Sequence, residues 1–339
     1  MVANGEKVRV SRFWISTLAV TVTAVGASVT TALSQGSADI QIDGSSTVFP
    51  ISEAAAEEFQ NANSGVNVTV GVSGTGGGFS RFCAGETDIS NASRPISESE
   101  IEACEAAGIE FIELPIAYDA LTVVVNSEND WVDSLTTEEL NTIWEPAAQG
   151  TITNWNQVRS SFPDQPLNLY GPGTDSGTFD YFTEAINGDS GESRADYTAS
   201  EDDNVLVLGV ANDVGALGYF GLAYYEANTD ALKAVPIDGG NGPVLPNSAN
   251  VENGTYQPLS RPIFIYVNAE AAQRPEVQDF VTFMLDRTDL ISEVGYVPLP
   301  EQAYSLAMQN FEQGKTGTVF ANRDIVGVNI EELLRLEAE

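Results

Sequence analysis

Three stretches of this 339-residue chain combine glycine with hydroxyl side chains, each between an extended segment and a helical pattern. They are Asp43-Gly44-Ser45-Ser46-Thr47-Val48-Phe49-Pro50, Ser73-Gly74-Thr75-Gly76-Gly77-Gly78-Phe79 and Gly171-Pro172-Gly173-Thr174-Asp175-Ser176-Gly177-Thr178. A helix start leaves backbone N–H groups without partners inside the helix and carries a partial positive charge. Glycine lets a ligand approach that backbone, and Ser or Thr adds donors. The chemistry such segments can do is to hold an oxyanion. One of them is weak evidence, because Ser, Thr and Asp cap helices generally. Three in one chain point to a shared ligand. A fourth element, Asn91-Ala92-Ser93-Arg94-Pro95, adds a planar guanidinium that can grip two oxygens of a tetrahedral anion. Its plainer reading is a surface arginine offsetting acids such as Asp88.

Positioning these segments together requires an alternation of strands and helices. Residues 40–42, 66–72, 111–114, 121–125, 167–170, 218–220 and 263–267 read as strands. Ile51, Ala55 and Phe59 share one helical stripe, as do Phe179, Phe182 and Ile186, and Val277, Val281 and Leu285. That rhythm predicts an α/β fold with a largely parallel sheet, in which such loops gather at the carboxyl ends of the strands. Residues 114–118 and 258–262 each set proline beside an extended run and read as crossovers between two lobes, 35–118 with 259–339 and an inserted 119–258.

Composition narrows the chemistry further. The chain has no histidine, which removes the commonest general base, the Ser-His-Asp and Cys-His nucleophiles, and His-based metal sites. No compact carboxylate cluster of metal-ligand type offsets that loss, so a secreted phosphatase is the weaker reading, and neither a metal nor a cofactor is implied. None of the three loops is a Walker A segment or a dinucleotide fingerprint. With 14 Lys+Arg against 49 Asp+Glu, a formal net charge of −35 argues against nucleic-acid binding. Salt screens that charge beyond about 10 Å, so donors at contact distance still decide anion capture.

Lys7, Arg9 and Arg12 precede an apolar run and then small residues, so 1–34 reads as a secretory signal peptide, a retained anchor being the alternative. No cysteine follows the run to carry a lipid. In an oxidising compartment Cys83 and Cys104 would pair, contributing about 3 kcal/mol, with two buried free thiols as the alternative. Trp131, Trp144 and Trp155 read as packing, and residues 331–336 as a short terminal helix.

Together the four elements, with Asp88-Ile89-Ser90 ahead of Asn91 and with Gly215-Ala216-Leu217-Gly218-Tyr219, resemble the periplasmic phosphate-binding proteins of the PstS type from about Asp39 to near the C-terminus. The resemblance implies a two-lobed, type II "Venus flytrap" that holds dehydrated phosphate in its cleft. It would work as a monomer and deliver phosphate to the membrane permease of an ABC importer. Carried over by motif, one lobe would contribute Ser46, Thr47 and the Val48 N–H with Ser73, Gly74 and Thr75, and the other Ser176, Gly177 and Thr178. Two positions depart from the family pattern: Arg94 stands where an Asp accepts the phosphate proton, and Pro172 where an Arg precedes Ser-Gly-Thr. Arg94 is therefore expected to serve the anion, oriented by Asp175, with Asp175 or, in reserve, Asp43 as proton acceptor. The same fold also suits other oxyanions, such as sulfate, molybdate or a phosphonate. An inert adhesion protein is disfavoured by the intact hydroxyl loops.

Overall fold

The computed structural model describes residues 38–174 and 176–321. The expected leader 1–34, Asp175 and the expected terminal helix at 331–336 lie outside the described residues.

One flank of the main sheet is built from β1 (Ala38–Gly44), β2 (Val66–Val70) and β3 (Ile89–Ala92), with β1 parallel to both neighbours. The centre is β4 (Phe111–Asn126). Later in the chain come β5 (Leu135–Thr136), β6 (Asn168–Gly171), β7 (Thr198–Ala199), β8 (Ala216–Gly221), β9 (Leu232–Ala234), β10 (Ile237–Asp238), β11 (Pro243–Val244) and β12 (Ser260–Asn268). Among the described residues the sheet has nine strands in the order β2-β1-β3-β12-β4-β8-β6-β7, with β9 also on β4, while β5, β10 and β11 form a small separate sheet. The far flank is again parallel, β6 lying between β7 and β8. The middle is not: β12 runs antiparallel to both β3 and β4, and β4 antiparallel to β8. The sheet is therefore mixed, where the sequence predicts it largely parallel.

Strand β4 also joins what the sequence reads as two strands. Its sixteen residues are all buried, and a mostly apolar run, broken here by Glu113, Asp119 and Thr122, is what a strand covered on both faces requires. Proline does not break it, because Pro115 falls beside a register shift in the β4–β12 ladder, where a missing N–H is tolerated. The first part of β4 pairs with β12 and residues 121–125 pair with β8, so one strand passes from one flank to the other.

The helices are α1 (Phe49–Ala62), α2 (Gly74–Cys83), α3 (Glu98–Ala107), α4 (Thr137–Trp144), α5 (Trp155–Val158), α6 (Gly177–Asn187), α7 (Asp203–Ala211), α8 (Leu222–Glu226), α9 (Ser248–Glu252), α10 (Pro275–Asp286), α11 (Thr288–Glu293) and α12 (Glu301–Glu312). Cys83 at the end of α2 is disulfide-bonded to Cys104 in α3. Trp144 and Trp155 are fully buried, Trp144 edge-on to Phe182 and Tyr219, and Trp131 meets Trp155 edge-on.

Candidate functional site

The first strand-to-helix junction is fixed by Gly44. Its φ of +141° suits glycine, and a side chain there would collide with the backbone of Asn91 on the neighbouring strand. Beyond it the Ser45 N–H donates to the Asn91 carbonyl at 3.0 Å, and the Ser45 hydroxyl accepts from the Thr47 N–H at 3.2 Å. Helix α1 then opens with Pro50 in its first turn and no side-chain cap; the Phe49 N–H donates to the Ser45 carbonyl and the Ile51 N–H to the Val48 carbonyl, each at 3.1 Å, so backbone bonds close this helix start.

The third junction opens α6. Here Ser176 is the N-cap, its hydroxyl oxygen accepting from the Thr178 N–H at 3.2 Å, so the ordinary capping role is real for this residue. Its O–H remains a donor. The first and third junctions touch: a Cβ on Gly177 would lie 2.6 Å from Thr47 Oγ1, 2.7 Å from its Cα and 2.8 Å from its N. The Tyr296 hydroxyl donates to the Thr47 carbonyl at 2.6 Å and pins that loop from behind.

Beside this contact lies a cavity of about 600 Å³ that Ser46, Phe49 and Pro50 line from the first junction, and Ser176, Gly177 and Thr178 from the third. Asp119 of β4, Glu201, Asp203 at the start of α7 and Tyr224 of α8 complete much of the wall. Of the residues expected at the site, Ser46, Ser176, Gly177 and Thr178 line the cavity, while Thr47 and Val48 are buried next to it.

The second junction stands aside. Val72 reaches the cavity, but the Ser73 hydroxyl donates to Asp43 at 2.5 Å, and Thr75 pairs with Ser93, their hydroxyls 3.0 Å apart. Gly74 turns the chain at φ +76° and does not line the cavity. Arg94 is not brought to the cavity either. Glu100 of α3 holds its guanidinium in a fork at 2.8 and 2.9 Å, and the Pro95 carbonyl accepts a third bond. Asp88 is not its partner, being paired with Arg274 at 3.0 Å. Asp43, the reserve proton acceptor, is engaged by Ser73 and Arg81.

Sequence reasoning passes over the cavity's own carboxylates. Asp119 is the one charged residue between Leu114 and Val125, and that interruption of an apolar run is the signal available. It is 3% exposed, and in the β4–β12 register it faces Arg261. Arg261 Nε stands 3.4 Å from Asp119 Oδ2, yet neither atom has a hydrogen-bond partner. The same guanidinium lies 3.7 Å over the Tyr181 ring and 3.3 Å from Glu184, both on α6. Burial pushes the Asp119 carboxyl up to about 6 against the pull of Arg261.

Asp203 also rises to about 6, through burial first and then the charges of Asp202 and Glu201. A carboxyl with a folded-state pKa above its unfolded value favours folding below the unfolded value and loses that contribution as pH rises through about 6. Asp203→Asn is therefore expected to raise the melting temperature at pH 7.5 and leave it nearly unchanged at pH 4. Scanning calorimetry at the two pH values checks this, and a lower melting temperature at pH 7.5 would contradict it.

A family model for the PBP superfamily domain matches residues 28–288. Protein SphX of Synechococcus elongatus is 58% identical over 300 residues, 88% of each chain. The phosphate-binding protein PstS of Staphylococcus saprophyticus is 39% identical over 274 residues, 80% of this chain and 83% of that one. Among solved structures, a possible phosphate binding protein from Planctomyces limnophilus aligns with a TM-score of 0.78 and 47% identity over 82% of this chain and 99% of its own. An ABC-type phosphate transport receptor from Vibrio cholerae aligns at 0.60 with 27% identity, over 77% and 100%. The architecture is the α/β fold of type II periplasmic binding proteins. The chain belongs to the PBP superfamily and, within it, to the PstS type of phosphate-binding proteins.

Proposed function

We propose that this protein binds inorganic phosphate outside the cytoplasm and delivers it to the membrane permease of an ABC importer, acting as a monomer and catalysing no reaction. The observation that carries the reading is the meeting of Ser46 and of Ser176, Gly177 and Thr178 at one cavity, with Gly177 packed directly on Thr47. Hydroxyls and helix-start amides there replace the hydration of a small tetrahedral anion. The relatives support the ligand and the partner, since they include a phosphate-binding protein and an ABC-type phosphate transport receptor.

In this reading the lobes are 35–118 with 259–339 and the inserted 119–258. Strands β4 and β12, which link the flanks, act as the hinge, and closure excludes water from the anion. Asp119, buried at the cavity beside Arg261, takes the ligand proton in place of Asp43. A secreted phosphatase would need a base beside Ser176, and the chain has no histidine to supply one.

Calorimetric titration of phosphate-stripped protein with phosphate, sulfate and arsenate tests the reading. Phosphate should bind and sulfate should not. Ser176→Ala is expected to weaken phosphate at least tenfold, about the value of one charge-assisted hydrogen bond. Unchanged affinity in that variant would remove the third junction from the site.

A further inference from the structure

Three Asn-Gly pairs fall among the described residues: Asn187-Gly188, Asn241-Gly242 and Asn253-Gly254. Such a pair can react with itself. The glycine nitrogen can attack the asparagine side-chain carbonyl carbon, because glycine brings no side chain to block the approach. Whether it does so depends on how the fold holds the amide and the nitrogen.

Two of the pairs are held on both sides. Asn187 ends α6 with its Nδ2 donating to the Trp144 and Glu192 carbonyls at 3.3 and 2.6 Å, and its Oδ1 accepting from Asn141 at 3.2 Å. The Gly188 N–H donates to the Glu184 carbonyl at 3.2 Å. At Asn253, the C-cap of α9, Oδ1 accepts from the Thr255 N–H at 3.0 Å and from the Thr255 hydroxyl at 2.6 Å, while the Gly254 N–H donates to the Val251 carbonyl at 3.0 Å. Attack at either pair first breaks side-chain hydrogen bonds. It also leaves the departing proton facing a peptide carbonyl, which is a poor base.

Asn241 differs on each count. It is exposed in the hairpin loop between β10 and β11, and its side-chain amide makes no hydrogen bond among the described residues. Gly240 and Gly242, at φ of +111° and +100°, fold this loop so that both of their N–H groups donate to one carboxylate oxygen, Asp238 Oδ1, at 2.8 and 2.9 Å. A Cβ at either glycine would meet nothing within 4 Å, so no neighbour crowds the reacting atoms. The nitrogen next to Asn241 therefore already shares its proton with a base.

We propose that Asn241 is a site of covalent self-modification, converted through a succinimide to aspartate and isoaspartate. The Gly242 nitrogen bonds to Asn241 Cγ as its proton passes to Asp238. The bond from Cγ to Nδ2 then breaks, and Nδ2 leaves as ammonia with the proton that Asp238 returns. Water opens the ring at Cγ to give aspartate, or at the main-chain carbonyl to give isoaspartate. Either product places a carboxylate in a cavity of about 590 Å³ that Asn241 lines together with Thr137, Thr255 and Gln257, and in which no lining residue is charged. The inference stands apart from the phosphate reading.

The test is ageing of the purified protein at pH 7.5, followed by mass-spectrometric peptide mapping with fragmentation to place each new acid. Asn241 should convert at least about tenfold faster than Asn187 and Asn253, the effect of having no side-chain hydrogen bonds to break. Asp238→Ala, checked for folding by its melting curve, should slow conversion of Asn241 by about tenfold or more. Asn241→Gln, which forms no five-membered ring, should lack the early acidic species seen by isoelectric focusing. Conversion of Asn241 no faster than that of the other two pairs would overturn the inference, as would an early acidic species that persists in Asn241→Gln. An unchanged or faster rate in Asp238→Ala would overturn the part assigned to the carboxylate.

Discussion

Gly177→Val is expected to lower phosphate affinity at least a hundredfold while the protein stays folded. The added side chain must enter a space where its first carbon already lies 2.7 Å from Thr47 Cα and 2.8 Å from Thr47 N. Those are backbone atoms, so no rotamer change relieves the contact. Thr47 cannot retreat freely either, because Tyr296 holds its carbonyl and Ser45 its N–H. The substitution therefore acts as a wedge between the first and third junctions. Overpacking of this kind costs about 1–3 kcal/mol of stability, which a domain of this size tolerates. Binding is hit harder, because donors on both sides of the anion are moved apart. Losing two charge-assisted hydrogen bonds at roughly 1.5–3 kcal/mol each amounts to a hundredfold or more. Gly177→Ala, a smaller wedge, should lose about tenfold. If both variants bound phosphate within twofold of wild type, the meeting of the two junctions would have no part in binding.

Why the junctions could be read from sequence and the carboxylate wall could not follows from how local each signal is. Helix-start donors depend on a few consecutive residues, so Ser46, Ser176, Gly177 and Thr178 stand out before any fold is known. Asp119 stands out as a charge in an apolar run, but its meaning depends on Arg261, which reaches it only through the β4–β12 ladder. Glu201 and Asp203 look like ordinary acids of a helix start until tertiary packing brings that start to the cavity. The mixed centre of the sheet is hidden for the same reason: strand direction is set by long-range pairing, whereas apolar rhythm reports only that strands and helices alternate. Arg94 is the expected site residue that the structure pairs elsewhere, with Glu100. Its partner Glu100 is legible in sequence, because Ser97-Glu98-Ser99-Glu100 has capping-box spacing and places a carboxylate at a known point of α3. Anion chemistry accounts for Arg94 without that partner, whereas the capping box is the nearer local signal.

The buried pair that the ladder assembles carries the second large effect, this time on stability. Arg261→Met should cost about 3–5 kcal/mol at pH 7.5, because it strips the counter-charge from a carboxylate that the fold keeps out of water. Methionine retains most of the packing over the Tyr181 ring, so the loss reports charge more than volume. Its pH dependence has a definite sign. Asp119 already ionises near 6 with Arg261 beside it, and without the arginine its folded-state value must move higher still. A carboxyl raised in this way favours folding while protonated and loses that contribution as pH climbs through the folded value. The deficit of Arg261→Met should therefore be large at pH 7.5 and shrink markedly by pH 4.5. Adding Asp119→Asn removes the unpaired charge altogether, so the double variant should recover more than half of the loss at pH 7.5. Denaturant unfolding of wild type, single and double variants at the two pH values measures all of this. Equal deficits at both pH values, or no recovery in the double variant, would mean that Arg261 stabilises β4 and β12 through its contacts with Tyr181 and Glu184 and that Asp119 takes no electrostatic support from it.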